Sequence, residues 1–147
     1  MGTAVRVVLD TNVLLSLFVF ADSRYAPLLE RLRIGAWLAL TDERCLGEFR
    51  RVLAYPLFSL DDAAQAAAYD TYSGLAESVP PASGLKVALP LCTDGDDQKF
   101  LEVARDGNAQ LLVTSDKALL KLARRRKLAH LFGIVTPERA LGIGSAA

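Results

Sequence analysis

Apolar residues recur along this chain in short blocks, and their spacing alternates between that of a buried strand and that of an amphipathic helix. Residues 5–9 form the first block, rich in valine, and predict a strand buried on both faces. Thr11-Asn12 opens an apolar helix reaching about Phe20, and a second helix spans 26–33 and stops at Gly35. Residues 37–40 read as a strand; Thr41-Asp42 then caps a helix over 43–53, which Tyr55-Pro56 breaks. An Ala-rich helix is expected over 61–76, closing at Val79-Pro80-Pro81, and 80–90 is the most loop-like stretch. Beyond it the pattern predicts a helix over 94–105 ending at Gly107, a strand over 110–114 and a helix over 115–126. A last strand at 133–135, a helix at 137–141 and a short flexible tail over about 142–147 complete the chain.

Strands alternating with helices imply βα units and a parallel sheet covered on both faces. The expectation is one α/β domain over residues 1–147, with three α/β/α layers around a central, mainly parallel sheet and no internal repeat. A length of 147 residues suffices for one full-sized core, and 52% hydrophobic with 23% charged residues is ordinary for a globular chain. The 17 basic and 17 acidic residues cancel, so any nucleic-acid partner must be met by a local basic rim. The N-terminal apolar run is broken by Arg6 and lacks a small-residue cleavage site, and 13–21 falls short of the ~20 residues of a membrane span. Cys45 and Cys92 lack CxxC spacing, and the lone His130 cannot complete a zinc cluster with them. Two buried free thiols in a soluble, cytoplasmic protein are expected.

Four carboxylates carry the candidate chemistry. In open parallel sheets the ligand site lies at the carboxyl ends of the strands. Asp10 directly follows the first strand and Asp116 comes two residues after 110–114, although each serves equally as a helix-cap acid. Within 43–53, Leu46, Phe49 and Leu53 define the core face, and Glu48 stands at its border, with Arg44 and Arg51 beyond. Pairing of Glu48 with a neighbouring Arg is the alternative there. Asp97, Leu101 and Ala104 fall at i, i+4 and i+7, so Asp97 occupies the apolar line of its helix, where a charge is costly unless paired or bound to metal. Asp94 reads better as an N-cap, and no Arg or Lys on a neighbouring core-facing position offers itself as a buried partner. Acids gathered at one sheet edge repel each other, and a divalent cation resolves that conflict; hard oxygen donors suit Mg²⁺ or Mn²⁺.

The segments Val-Val-Leu-Asp-Thr-Asn-Val-Leu (7–14), Leu-Gly-Glu-Phe-Arg-Arg-Val-Leu (46–53), Asp-Gly-Asp-Asp-Gln-Lys-Phe-Leu (94–101) and Leu-Val-Thr-Ser-Asp-Lys-Ala-Leu-Leu (112–120) resemble the four acidic motifs of PIN domains. Their order and spacing, with Ile-Val-Thr-Pro-Glu-Arg-Ala-Leu (134–141), are similar to the bacterial VapC-like branch of toxin–antitoxin ribonucleases. The resemblance implies that Asp10, Glu48, Asp97 and Asp116 are the catalytic, metal-binding acids, with Asn12, Thr114 and Ser115 as polar supports. Ser115 stands where the family commonly has Gly, and Gln98 replaces an acid frequent in this branch. The implied protein is a Mg²⁺- or Mn²⁺-dependent endoribonuclease that hydrolyses RNA with metal-activated water. A cognate antitoxin and a homodimer are implied as partners.

Lys117, Lys121, Arg124 and Arg125, within a basic stretch that continues through Arg126 and Lys127, are candidate RNA-backbone contacts. Cations favouring a helix C-terminal dipole are the alternative. Phe18, Phe20, Phe49 and Phe58 fit core packing better than base stacking. An aspartyl-phosphate enzyme would want an Asp where Asn12 stands, and no P-loop or GxGxxG is present. A catalytically inactive PIN-like module binding RNA or protein is the rival from another class; metal binding separates the two.

Overall fold

A computed structural model describes residues 4–81, 87–125, 128 and 131–143. Strands β1 (Val5–Leu9), β2 (Trp37–Thr41), β3 (Ala76–Ser78), β4 (Leu111–Val113) and β5 (Gly133–Val135) form one sheet in the order β3-β2-β1-β4-β5. Every pairing is parallel, and β1 lies at the centre, with Val8 opposite Leu40 on one side and Leu112 on the other.

The pleat sends alternate residues to opposite faces, and each face has its own core. Val7, Leu9, Ala39, Leu111 and Val113 point to a core completed by Leu14, Leu28, Phe49 and Tyr72. Those residues come from helices α1 (Thr11–Phe18), α2 (Ala26–Arg33), α3 (Glu43–Leu53) and α4 (Asp62–Leu75). Val8, Leu40, Leu112 and Ile134 face the other core with Phe100, Leu101 and Leu119, from α5 (Gln98–Asp106) and α6 (Lys117–Leu120). A final helix, α7 (Pro137–Leu141), buries Ala140 in the first core. The result is the three-layer α/β/α arrangement expected from the sequence, with the sheet wholly parallel among the described residues.

The differences from expectation are local. Ala76 ends α4 and enters β3, whose register on β2 runs from Ala39↔Ala76 to Thr41↔Ser78. The helix read over 94–105 begins as a 3-10 turn, Gly95–Asp97. The helix read over 115–126 is only α6 followed by a 3-10 turn at Lys121–Arg124; Arg126 and Lys127 lie outside the described residues. Leu119 and Leu122 are both buried, and residues three apart align on one side of a 3-10 turn. Phe49 is fully buried and Phe18 packs against the same core, but Phe20 is 57% exposed and meets Phe58 with the two rings tilted by 59°. Cys45 and Cys92 are buried and free. No helix among the described residues is long and apolar enough to cross a membrane.

Candidate functional site

From β1 the chain builds outward through β2 to β3, then returns to place β4 and β5 on the other side. The crevice at the carboxyl ends of β1 and β4 is therefore the topological switch point, where parallel sheets bind ligands. A cleft of about 250 Å³ opens there, lined by Asp10, Asn12, Glu48, Asp94, Asp97 and Asp116, with Val52 and Phe100 as apolar wall. All four acids marked in the sequence reach this one cleft.

Asp10 is the N-cap of α1 and is 4% exposed. Its Oδ1 accepts from the Val13 amide at 2.9 Å, and its Oδ2 accepts from the fully buried Thr114 hydroxyl. Burial raises its carboxyl to about 6 despite those bonds, and the charges of Asp116 and Glu48 add to the rise. Thr114 Oγ1 also accepts from the Asp116 amide at 2.9 Å, so one hydroxyl ties the two strand-end acids together. Asp116 caps α6, its Oδ1 accepting from Ala118 N at 2.7 Å and Leu119 N at 3.3 Å.

Asp97 closes the 3-10 turn ahead of α5, and its Oδ2 is buried with no hydrogen-bond partner among the described residues. Carboxylate oxygens of Asp94, Asp97 and Asp116 lie within 4.8 Å of one another. Burial, then the Asp116 charge, pushes the Asp97 carboxyl up to about 7. Asp94 caps its turn, as expected, by accepting from Asp96 N at 3.0 Å. It is also a member of the tight acidic cluster, which sequence reasoning missed. The signal was present in Asp-Gly-Asp-Asp: a Gly-containing turn wound as 3-10 aligns Asp94 with Asp97, three residues on.

Glu48 pairs neither with Arg44 nor with Arg51. Its Oε2 accepts from the Thr11 hydroxyl, and its Oε1 accepts from Lys99 Nζ at 2.8 Å, with the Lys99 side chain only 12% exposed. No core-facing position supplies this base; Lys99 reaches Glu48 from outside the apolar line of its helix. Lys99 escapes a reading of core-facing positions because its ammonium returns to the Asp96 carbonyl and lies 4.8 Å from the Phe100 ring centroid. Gln98 takes a positional role, accepting from Cys92 N at 2.7 Å and donating to Pro90 O at 3.1 Å, which fixes the loop ahead of the acidic turn.

Asn12 is exposed at the cleft, and Ser115 is exposed between Thr114 and Asp116. Lys117, Lys121, Arg124 and Arg125 are exposed just beyond Asp116. A larger cavity of about 730 Å³ lies elsewhere, lined by Asp42, Arg44, Ser78, Glu102, Arg105 and Asp106 among others. Both of its arginines are paired with acids of the same cavity, Arg44 with Asp42 and Glu102, and Arg105 with Asp106. Among the described residues, the buried side-chain oxygen without a hydrogen-bond partner, Asp97 Oδ2, belongs to the cleft at the switch point instead.

A family model described as PIN domain matches residues 6–118, a span containing all of these acids. No curated protein and no solved structure matches the chain. PIN domains are typically metal-dependent nucleases, and the cluster of Asp94, Asp97 and Asp116 could bind a divalent ion. With a parallel sheet, acids at its switch point and a family match over most of its length, the chain belongs to the PIN-domain family.

Proposed function

We propose that the protein is a divalent-metal-dependent endoribonuclease whose acidic site comprises Asp10, Glu48, Asp97 and Asp116. The observation carrying this reading is the buried, unpartnered Asp97 Oδ2 beside Asp94 and Asp116. A half-buried carboxylate crowded by other acids is costly to ionise without a cation, and a hard all-oxygen donor set suits Mg²⁺ or Mn²⁺. Asp97 and Asp116, with Asp94 at the rim and Asp10 beneath, would hold the ion. When bound, it supplies the positive charge that stabilises a phosphodiester undergoing attack by water.

The chain's own residues then have distinct tasks. Thr114 fixes the orientation of Asp10 and the backbone of Asp116 through one hydroxyl. Thr11 and Lys99 hold Glu48 against the cleft. Asn12 and Ser115 present polar groups at the opening, and Lys117, Lys121, Arg124 and Arg125 bind the RNA backbone electrostatically. The motif resemblance over 7–14, 46–53, 94–101, 112–120 and 134–141 supports a role as the cytoplasmic toxin of a type II toxin–antitoxin pair. On that reading the protein is a homodimer restrained by a cognate antitoxin.

Purified protein is expected to cleave single-stranded RNA internally in Mg²⁺ or Mn²⁺ and to stop on addition of EDTA. Asp10→Asn should lower the rate at least ~100-fold, the scale of losing a positioned electrostatic group. Undiminished cleavage by Asp10→Asn would overturn the site. Growth arrest on induced expression, relieved by the same substitution, is the expected sign of the toxin role.

A further inference from the structure

We propose that the Lys99 ammonium is a built-in cation that holds Glu48 outside the metal shell, so that the cleft takes one divalent ion rather than two. The inference rests on the metal-dependent reading above and deepens it. Six acids line the cleft: Asp10, Glu48, Asp94, Asp96, Asp97 and Asp116. Four of them fall into two sets by what already neutralises them. Glu48 has a cation on one oxygen, Lys99 Nζ at 2.8 Å, and the Thr11 hydroxyl on the other. Oxygens of Asp94, Asp97 and Asp116 converge within 4.8 Å, and Asp97 Oδ2 has no hydrogen-bond partner among the described residues.

The ammonium is held from three sides. It donates to Glu48 and to the Asp96 carbonyl, its charge lies 4.8 Å from the Phe100 ring centroid, and its side chain is 12% exposed. An ammonium so placed is a positional cation rather than a solvated surface charge. Two metal ions in a nuclease stand ~4 Å apart, each drawing on carboxylates of the same cluster. A second ion recruiting Glu48 would have to displace Lys99 from its bond or sit within a few ångströms of a like charge. A single ion held by the Asp97–Asp116 side meets no such conflict.

Calorimetric titration with Mn²⁺ tests this without reference to activity. The wild type should bind one ion, and Glu48→Gln should also bind one, with affinity within about threefold of wild type. Lys99→Met should bind two, because Glu48 is released to serve as a ligand, while Lys99→Arg should remain at one. The double variant Lys99→Met with Glu48→Gln should return to one. If Lys99→Met loses its cooperative melting transition, Lys99→Gln carries the same comparison. Two ions in the wild type, one ion in a folded Lys99→Met, or a tenfold or greater loss of affinity in Glu48→Gln would overturn the inference while leaving the metal-dependent site standing. No Mn²⁺ binding by the wild type would instead overturn the metal-dependent reading itself.

Discussion

Thr114 shows how much one side chain determines here. Its hydroxyl donates to Asp10 and accepts from the Asp116 amide, from a fully buried position at the end of β4. Thr114→Val keeps the shape and removes both bonds, leaving Asp10 held by the Val13 amide alone. Loss of such a supporting partner costs a metal site roughly 10–100-fold, so Mn²⁺ affinity by calorimetry should fall by that factor while the melting temperature changes little. Asp97 makes a different prediction. Its folded-state carboxyl is raised from 3.8 to about 7, so folding takes up a proton between those values. An acid raised in this way stabilises the fold least when ionised, and stability is lost as pH rises through the window. In EDTA, Asp97→Asn should therefore melt higher than wild type at pH 8, with the gap closing toward pH 4. A gap independent of pH would show that Asp97 is not the group responsible. Asp97 was legible in the sequence because Leu101 and Ala104 place it on an apolar line, and the 3-10 turn continues that line into α5. Lys99 and Asp94 were not, because their roles depend on how the turn brings an ammonium and a cap carboxylate back over the cleft.

At the scale of elements, β1, α3, β5 and α7 were readable to the residue, since strong apolar periodicity and cap or breaker residues bound them. The strand β3 was not, because Ala-Glu-Ser carries no strand pattern. It forms by backbone pairing to β2, with Val79 N donating to Thr41 O at 2.8 Å just beyond it. The helix read over 115–126 is shorter and changes type: α6 spans Lys117–Leu120 and a 3-10 turn continues it through Arg124, with Lys121 and Arg124 in its last turn. In the α5–β4 connection, Gly107 leaves no room for a side chain. A Cβ on Gly107 would stand 2.8 Å from Val79 Cγ2, 2.9 Å from Leu40 Cδ1 and 3.1 Å from Val103 O. Gly107→Ala should cost about 1–3 kcal/mol by overpacking, at about 2–4 °C of melting temperature per kcal/mol. Thermal denaturation checks this, with Mn²⁺ affinity below the transition expected to be unchanged.

Across the whole molecule, 17 basic and 17 acidic residues leave no net field to draw in RNA. On the proposed function, attraction would depend on the exposed cations beside Asp116. In the Asp97→Asn background, adding Lys121→Glu and Arg124→Glu should weaken RNA binding and flatten the plot of log Kd against log salt by about 0.7 for each phosphate no longer neutralised. An unchanged slope would remove these residues from the interface. The central claim is that the acids at the β1/β4 switch point make a metal-dependent phosphodiesterase site, and RNA cleavage by wild type and Asp97→Asn, each titrated with Mn²⁺ from an EDTA-treated stock, tests it most directly. The wild-type rate should rise from zero and saturate with Mn²⁺, while Asp97→Asn stays at least ~100-fold slower throughout. Cleavage by wild type without any divalent ion, or equal rates for the two proteins, would contradict it.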